Sequence, residues 1–335
     1  MENLSKECIK QNQYKGITLL LAACLLLVTA CRLLPSLIED ERGLPSYDPA
    51  MINTSLNYKG VERQILLYVP NPLPESGVPL VIMLHSEGST PEGAMLATTE
   101  GRWNELAFRD KFIVVYPQAW RGYWNDCRVM DGNAHEDAND VGFILAVIDW
   151  VRGEYPIDRE SVFLAGHSNG GMMALRLALE APERFAAIFA NNALLPVESE
   201  CSPSGGKTSL MLLLGTEDPL MPYSGGSVGL EGTSSGLVLS ADETAAAWLK
   251  MMALTSDPEI TELADREGQD RSTVTRLAYE DEQILFWIYR VNGGGHAWPG
   301  EEPFSRLEEQ TNGSKNRDVQ GADAAWQFFQ ESLEK

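Results

Sequence analysis

The sequence predicts an α/β fold, with a mostly parallel central sheet covered by helices on both faces. Three observations carry that expectation. Short apolar runs of strand length alternate along the chain with longer segments of helical spacing, the pattern of strands joined by crossover helices. Several of the runs, 112–116 and 210–214 above all, are apolar almost throughout, as strands buried on both faces must be. No Pro/Gly-rich linker interrupts the alternation, so one domain over 51–335 is expected.

Taken in order, residues 63–69 and 80–84 read as strands, the second followed by the turn-like His85-Ser86-Glu87-Gly88-Ser89. Residues 99–110 have helical spacing through Trp103, Leu106 and Ala107, and 112–116 is a strand ended by Pro117. A helix is expected over 141–151, with Asn139 or Asp140 as its N-cap. Residues 162–165 form a strand, 171–179 a helix, and 186–190 and 210–214 two more strands. Ser240 caps a helix over 241–254, 274–279 and 284–291 are further strands, and a helix over 322–333 closes the chain. Two stretches look irregular: 120–139, rich in Asn and Asp, and 223–239, rich in Gly and Ser. Loops of that length inside a compact domain are usually functional or disordered.

Of the 335 residues, 44% are hydrophobic and 22% charged, an ordinary globular balance. The net charge is −22, which repels phosphate backbones and argues against a nucleic-acid partner. Its plain reading is solubility. Neither an internal repeat nor an obligate protein partner is evident.

The N-terminus reads as an export signal: Lys6, Lys10 and Lys15 precede an apolar run from Ile17 to Ala30, closed by Arg32. That run is shorter than the roughly 20 residues a spanning helix needs. Val28-Thr29-Ala30-Cys31 resembles the bacterial lipobox, which implies a lipidated Cys31 as the mature N-terminus, a membrane-anchored lipoprotein, and a tether over 31–50. Leu21-Ala22-Ala23-Cys24 also fits the short pattern but leaves few apolar residues upstream. Cleavage with secretion and an uncleaved anchor are the other readings. Of five cysteines, Cys8 and Cys24 leave with residues 1–30, which leaves Cys127 and Cys201 as an even pair in an oxidising compartment. Either they form a disulfide or they are two separate buried thiols.

The sharpest motif is Gly166-His167-Ser168-Asn169-Gly170-Gly171, between an expected strand and an expected helix. G-x-S-x-G in that setting is a nucleophile elbow, which lifts the Ser168 hydroxyl above the sheet at a helix N-terminus. A serine hydroxyl needs a base, and the chain has four histidines. His167 adjoins the nucleophile on the elbow, which turns its side chain away. His85 ends a buried strand, and His135 lies beside Glu136 and Asp137, more simply a solvated loop residue than a metal ligand. His296, in Gly293-Gly294-Gly295-His296-Ala297-Trp298-Pro299-Gly300, follows a late strand on a loop able to return over Ser168. The orienting acid is expected between them in chain order. Asp218, after the strand 210–214, stands where such a sheet keeps its site, with Glu217 as the alternative.

Gly166–Met172, Gly215–Tyr223 and Gly293–Gly300 together resemble the polyhydroxybutyrate depolymerase and feruloyl esterase (LpqC-like) family of secreted α/β-hydrolases. Trp124-Asn125 and Asn139-Asp140-Val141-Gly142-Phe143 match further landmarks, so the resemblance runs from about Asn57 to the last helix. It implies the α/β-hydrolase fold and a Ser-Asp-His esterase without metal or organic cofactor. The substrates it implies are polyesters or phenolic esters of plant cell walls. It also supports pairing Cys127 with Cys201. One departure stands out: where the family has His-Gly after its second strand, this chain has His85-Ser86-Glu87. The backbone N–H groups of Asn169 and Glu87 are the expected oxyanion hole. A Glu87 carboxylate turned inward would oppose the oxyanion, so the side chain is expected to face water.

The expected chemistry is attack of Ser168 on an ester carbonyl with His296 as base, followed by hydrolysis of the acyl-enzyme. Trp124 and Trp298 are candidate walls of an acyl or aromatic pocket, or buried structural tryptophans. A serine peptidase uses the same triad, and a non-catalytic glycan- or polymer-binding lipoprotein would need an inert Ser168. A nucleotide site at Gly206-Lys207-Thr208 fails because the first glycine of a P-loop falls at Cys201. The expected elements use nearly all of 51–335, leaving no stretch for a polymer-adsorption module. Soluble phenolic or hydroxyalkanoate oligomer esters are therefore expected over solid polyhydroxybutyrate, with polymer depolymerase as the alternative.

Overall fold

In the computed structural model, residues 51–129, 138–229 and 235–335 are described. The lipobox cysteine Cys31, the tether and His135 lie outside them. The chain opens with the strands β1 (Met51–Tyr58), β2 (Val61–Tyr68) and β3 (Val78–Leu84). Helix α1 (Arg102–Asp110), β4 (Ile113–Pro117), α2 (Asp140–Glu154), β5 (Ile157–His167), α3 (Asn169–Glu180), β6 (Ala187–Asn191) and β7 (Ser209–Gly215) follow. A short ribbon of β8 (Gly226–Ser227) and β9 (Leu237–Val238) leads to α4 (Ala241–Met252). The last part comprises β10 (Glu259–Glu262), β11 (Thr273–Glu280), β12 (Leu285–Asn292), α5 (Arg306–Asn312) and α6 (Gly321–Ser332).

Ten strands form one sheet in the order β1-β2-β4-β3-β5-β6-β7-β12-β11-β10. The six from β4 to β12 are parallel, and the outer strands at both ends are antiparallel. Alternate residues of the parallel strands enter two different cores. Leu80, Ile82, Leu164, Ile188 and Leu212 pack with Phe143 and Val147 of α2, Met173 and Leu177 of α3, and Trp248 of α4. Val81, Met83, Phe163, Phe189 and Met211 pack on the other face with Trp103 and Leu106 of α1 and with Trp326, Phe328 and Phe329 of α6. Both faces are thus apolar, which is why these strands read as unbroken apolar runs. Each such side chain contributes about 1.5–3 kcal/mol relative to exposure. The result is the α/β-hydrolase fold.

Four elements differ from what the sequence predicts. The sequence predicts no strand over 51–58, yet β1 pairs along its whole length with β2. The sequence predicts no element over 259–262 or 306–312, where strand β10 and helix α5 form. Helix α1 begins at Arg102 rather than Thr99, because Gly101 before it takes the left-handed conformation with φ 73°. The N-cap of α2 is Asn139, whose side chain accepts the Gly142 N–H at 2.9 Å. Among the described residues no helix is long and apolar enough to cross a membrane.

Cys127 and Cys201 are joined in a disulfide across a separation of 74 residues, with Cα atoms 5.1 Å apart. Beside it, Glu200 N–H donates to Cys127 O at 2.9 Å. Cross-linking so long a loop removes conformational freedom from the unfolded chain. Replacing both cysteines by serine is expected to lower stability by about 2–4 kcal/mol, read from the urea midpoint. An unchanged midpoint would show that the bridge constrains nothing.

Candidate active site

Strand β5 ends at His167 and α3 begins at Asn169, so Ser168 alone turns the chain. Its backbone sits at φ 56°, ψ −122°, a conformation that costs a non-glycine residue about 1–3 kcal/mol. The surroundings hold it there: Ser168 N–H donates to Asn191 O at 2.9 Å and Met172 N–H to Ser168 O at 2.8 Å. Glycine is needed on either side. A Cβ on Gly166 would lie 2.2 Å from Gly170 O, and one on Gly170 would lie 2.5 Å from the carbonyl oxygens of Leu84 and His85.

Strands β7 and β12 lie side by side, and the loops after them supply the partners. His296 Nε2 is 2.8 Å from Ser168 Oγ, and His296 Nδ1 is 2.7 Å from Asp218 Oδ2. The other carboxylate oxygen, Oδ1, accepts the N–H groups of Leu220 at 2.8 Å and Met221 at 2.7 Å. A carboxylate only accepts, so Nδ1 carries the proton and Nε2 is left to accept from the serine hydroxyl. The two loops can approach because β7 ends in Gly215, where a Cβ would meet Gly294 O and Gly295 O at 2.5 Å. Glu217, the alternative acid, is exposed and its N–H bonds to Gly294 O at 2.8 Å.

Ser168 and His296 open on a cavity of about 630 Å³ whose wall includes Ser86, Glu87, Thr98, Trp298, Phe304 and Lys315. Lys315 is held by the Glu100 carboxylate and lies 5.3 Å from the Phe304 ring centre. The expected oxyanion donors come from two segments, Asn169 next to Ser168 and Glu87 in the loop after β3. Asn169 N–H is at the start of α3, where such groups lack an intrahelical acceptor. Glu87 N–H has no hydrogen-bond partner among the described residues, while Gly88 N–H donates to Gly122 O at 2.8 Å and Ser89 N–H to Ser86 O at 3.1 Å. The Glu87 side chain is exposed. Partial burial pushes its carboxyl above the usual value, and the Arg128 guanidinium works against that.

The tryptophans separate. Trp298 lines the cavity and packs edge-on to Phe189 with ring centres 5.2 Å apart. Trp124 is no pocket wall: it is fully buried and its indole N–H donates to His85 O at 2.9 Å. His167, expected to turn away, lines the cavity with its ring centre 5.2 Å from that of His296. Burial pushes it down to about 3, so it remains neutral beside His296 at neutral pH.

His85 is fully buried. Its Nε2 accepts Ala119 N–H at 2.9 Å, which leaves the proton on Nδ1 to donate to Ser86 O at 2.7 Å. Burial lowers it from 6.5 to about 4. Between those values the unfolded chain binds the proton and the folded chain does not, so stability rises with pH. The contribution is complete above about 6.5 and is lost as pH falls to about 4, amounting to about 3 kcal/mol. Denaturant titrations at pH 7.5 and 4.5 should show a smaller difference for His85→Gln than for the unaltered chain. Equal differences would show that His85 does not titrate this way.

Sequence reasoning missed Asp126 and Arg128, a buried ion pair at 2.7 Å next to Asn169. A buried pair in an irregular, polar stretch has the composition of a solvated loop, so no sequence signal marks it. Among the described residues no group of three or more His, Cys, Asp or Glu is arranged to hold a metal.

The fold and the comparisons with known proteins together give the class: an ester hydrolase of the α/β-hydrolase fold, acting on carboxylic esters. The family model described as "Putative esterase" matches residues 57–309, and the chain belongs to that family. It is 30% identical over 268 residues to "Putative esterase NocK" of Nocardia uniformis subsp. tsuyamanensis, covering 77% of this chain and 75% of the relative. It is 26% identical over 210 residues to "Probable feruloyl esterase C" of Aspergillus terreus, covering 62% and 73%. An acetyl xylan esterase structure from Aspergillus awamori superposes with a TM-score of 0.57 at 16% identity, over 83% of this chain and 99% of that one. That last likeness is one of fold.

Proposed function

We propose that the protein is an exported serine esterase in which Ser168 is the nucleophile, His296 the general base and Asp218 the orienting acid. The observation that carries this reading is the hydrogen-bond chain Asp218–His296–Ser168, with steps of 2.7 and 2.8 Å, at the wall of a cavity. His296 Nε2 takes the Ser168 proton as Oγ attacks the ester carbonyl, and the N–H groups of Asn169 and Glu87 receive the oxyanion. His296 then gives the proton to the leaving alcohol, and water attacks the acyl-enzyme by the same route.

The substrates proposed are soluble esters: feruloylated oligosaccharides, short aryl esters or hydroxyalkanoate oligomers. A cavity of about 630 Å³ lies in the usual range for a small-molecule site, which supports a single ester unit over a solid surface. Likeness to a relative named as a feruloyl esterase supports the phenolic choice. The test is a hydrolysis panel with methyl ferulate, an aryl acetate, a hydroxybutyrate oligomer and a polymer film, with Ser168→Ala as the blank. Turnover of at least one soluble ester well above film clearing is expected. Efficient clearing with negligible turnover of every soluble ester would restore the polymer depolymerase reading.

Export rests on the cationic start and the short apolar run from Ile17 to Ala30, and anchoring on the lipobox resemblance. Stable anchoring takes two or more acyl chains, because one gives only marginal binding. Radiolabelled fatty acid is expected to enter the unaltered protein but not Cys31→Ala. Equal labelling of the two would end the lipoprotein reading.

A further inference from the structure

Both oxyanion donors are backbone groups, so their aim depends on what fixes the chain behind them. At Asn169 that is unusually explicit. Its side chain spends every bond on one neighbouring segment: Oδ1 accepts Trp124 N–H at 2.8 Å, and Nδ2 donates to Trp124 O at 2.9 Å and to Asp126 Oδ2 at 2.7 Å. Three bonds in different directions leave the amide no freedom to rotate. The Asp126 carboxylate is itself pinned, accepting Arg128 N–H at 3.0 Å, Nε–H at 3.0 Å and an Nη2–H at 2.7 Å. Arg128 donates onward to Tyr123 Oη at 2.5 Å and Ser235 O at 2.6 Å.

The same segment grips the other donor's loop. Trp124 Nε1–H donates to His85 O at 2.9 Å, and Gly88 N–H donates to Gly122 O at 2.8 Å. Residues 122–128 thus brace both halves of the hole, and Cys127, between Asp126 and Arg128, ties the brace to Cys201. The side chains of Asp126 and Arg128 are 3% and 2% exposed. A buried ion pair is weak evidence for stability, because desolvation offsets its attraction. Its bonds instead point to geometry.

We propose that Asp126 is a positioning residue of the oxyanion hole, acting through the Asn169 side chain to fix the N–H that receives the developing negative charge. The proposal rests on the serine-esterase reading above. Arg128 keeps the Asp126 charge neutralised close to a site where negative charge must develop. Its charge also acts on the Glu87 carboxylate, opposing the rise that burial causes.

The test uses the full chain with Asp126→Asn and, separately, Asn169→Ala, which leaves the Asp126–Arg128 pair intact. Kinetics on an aryl ester are measured beside two inhibitors: a trifluoromethyl ketone, whose Ser168 adduct places an oxyanion in the hole, and the product acid, which forms no adduct. Misaligning a donor should cost less than deleting one, so kcat is expected to fall about 10- to 100-fold. KM should stay within about threefold. Ketone affinity should fall by the same factor as kcat while acid affinity holds. If Asp126→Asn does not fold, Asn169→Ala carries the test. Unaltered kcat in the folded variants, or equal loss of affinity for both inhibitors, would overturn the proposal. If the unaltered enzyme ignores the ketone and Ser168→Ala keeps its activity, the underlying serine-esterase reading falls instead.

Discussion

Ser168→Ala is expected to lower kcat by about 10⁶-fold, because the members of a triad act as a unit and none compensates for another. The substitution removes only Oγ. It leaves His296 bonded to Asp218 at 2.7 Å and leaves the wall of the cavity in place. Binding of product acid should therefore persist while turnover vanishes, which distinguishes a lost nucleophile from a lost fold. His296→Ala should fall about as far. The measurement is steady-state hydrolysis of an aryl ester, with product-acid affinity measured in parallel. Retained turnover in Ser168→Ala would sink the mechanism.

Asp218→Asn is expected to cost about 10⁴-fold in kcat, through the wrong imidazole tautomer. The structure says which way the amide must sit. Oδ1 accepts two backbone N–H groups, from Leu220 and Met221, so the amide oxygen stays there and the NH₂ faces His296. A donor then meets Nδ1, which must give up its proton and accept. The proton moves to Nε2, the atom 2.8 Å from Ser168 Oγ, and the base has no lone pair for the serine. The fold should survive, so circular dichroism unchanged alongside the lost rate is part of the expected result. Activity within tenfold of the unaltered enzyme, or an equal loss in Glu217→Gln, would reassign the acid.

The parts of the fold that were legible share one property: burial on both faces. Strands such as β7 announce themselves because each residue enters one core or the other. Strand β1 did not, since as a sheet edge it leaves Ile52, Asn53 and Ser55 exposed and shows no apolar run. Strand β10, Glu-Ile-Thr-Glu, fails for the same reason. Helix α5 buries no residue, so no periodicity marks it. Its capping box, Ser305 with Glu308, was the available signal. The site was legible where chemistry demands a residue type at a strand end, as at Ser168, Asp218 and His296. For Trp124 the sequence leaves pocket wall and buried structural residue equally open, because only the fold shows its indole spent on the His85 carbonyl. Asp126 and Arg128 were invisible because charge in an irregular, polar stretch looks the same whether buried or solvated.

The wide spacing of the three side chains along the chain has a consequence for the order in which the enzyme comes into being. Ser168 and His296 lie 128 residues apart, on loops after β5 and β12, and β12 joins the sheet by pairing with β7. Contacts that distant form late, since loop closure must precede any gain from them. A chain assembled through β5 holds a nucleophile but no base. On the proposed mechanism, ester turnover is expected only once the C-terminal part has docked and brought His296 to Ser168. Return of ester turnover in a refolding experiment therefore times the completion of the sheet, where far-ultraviolet dichroism times only the appearance of its pieces.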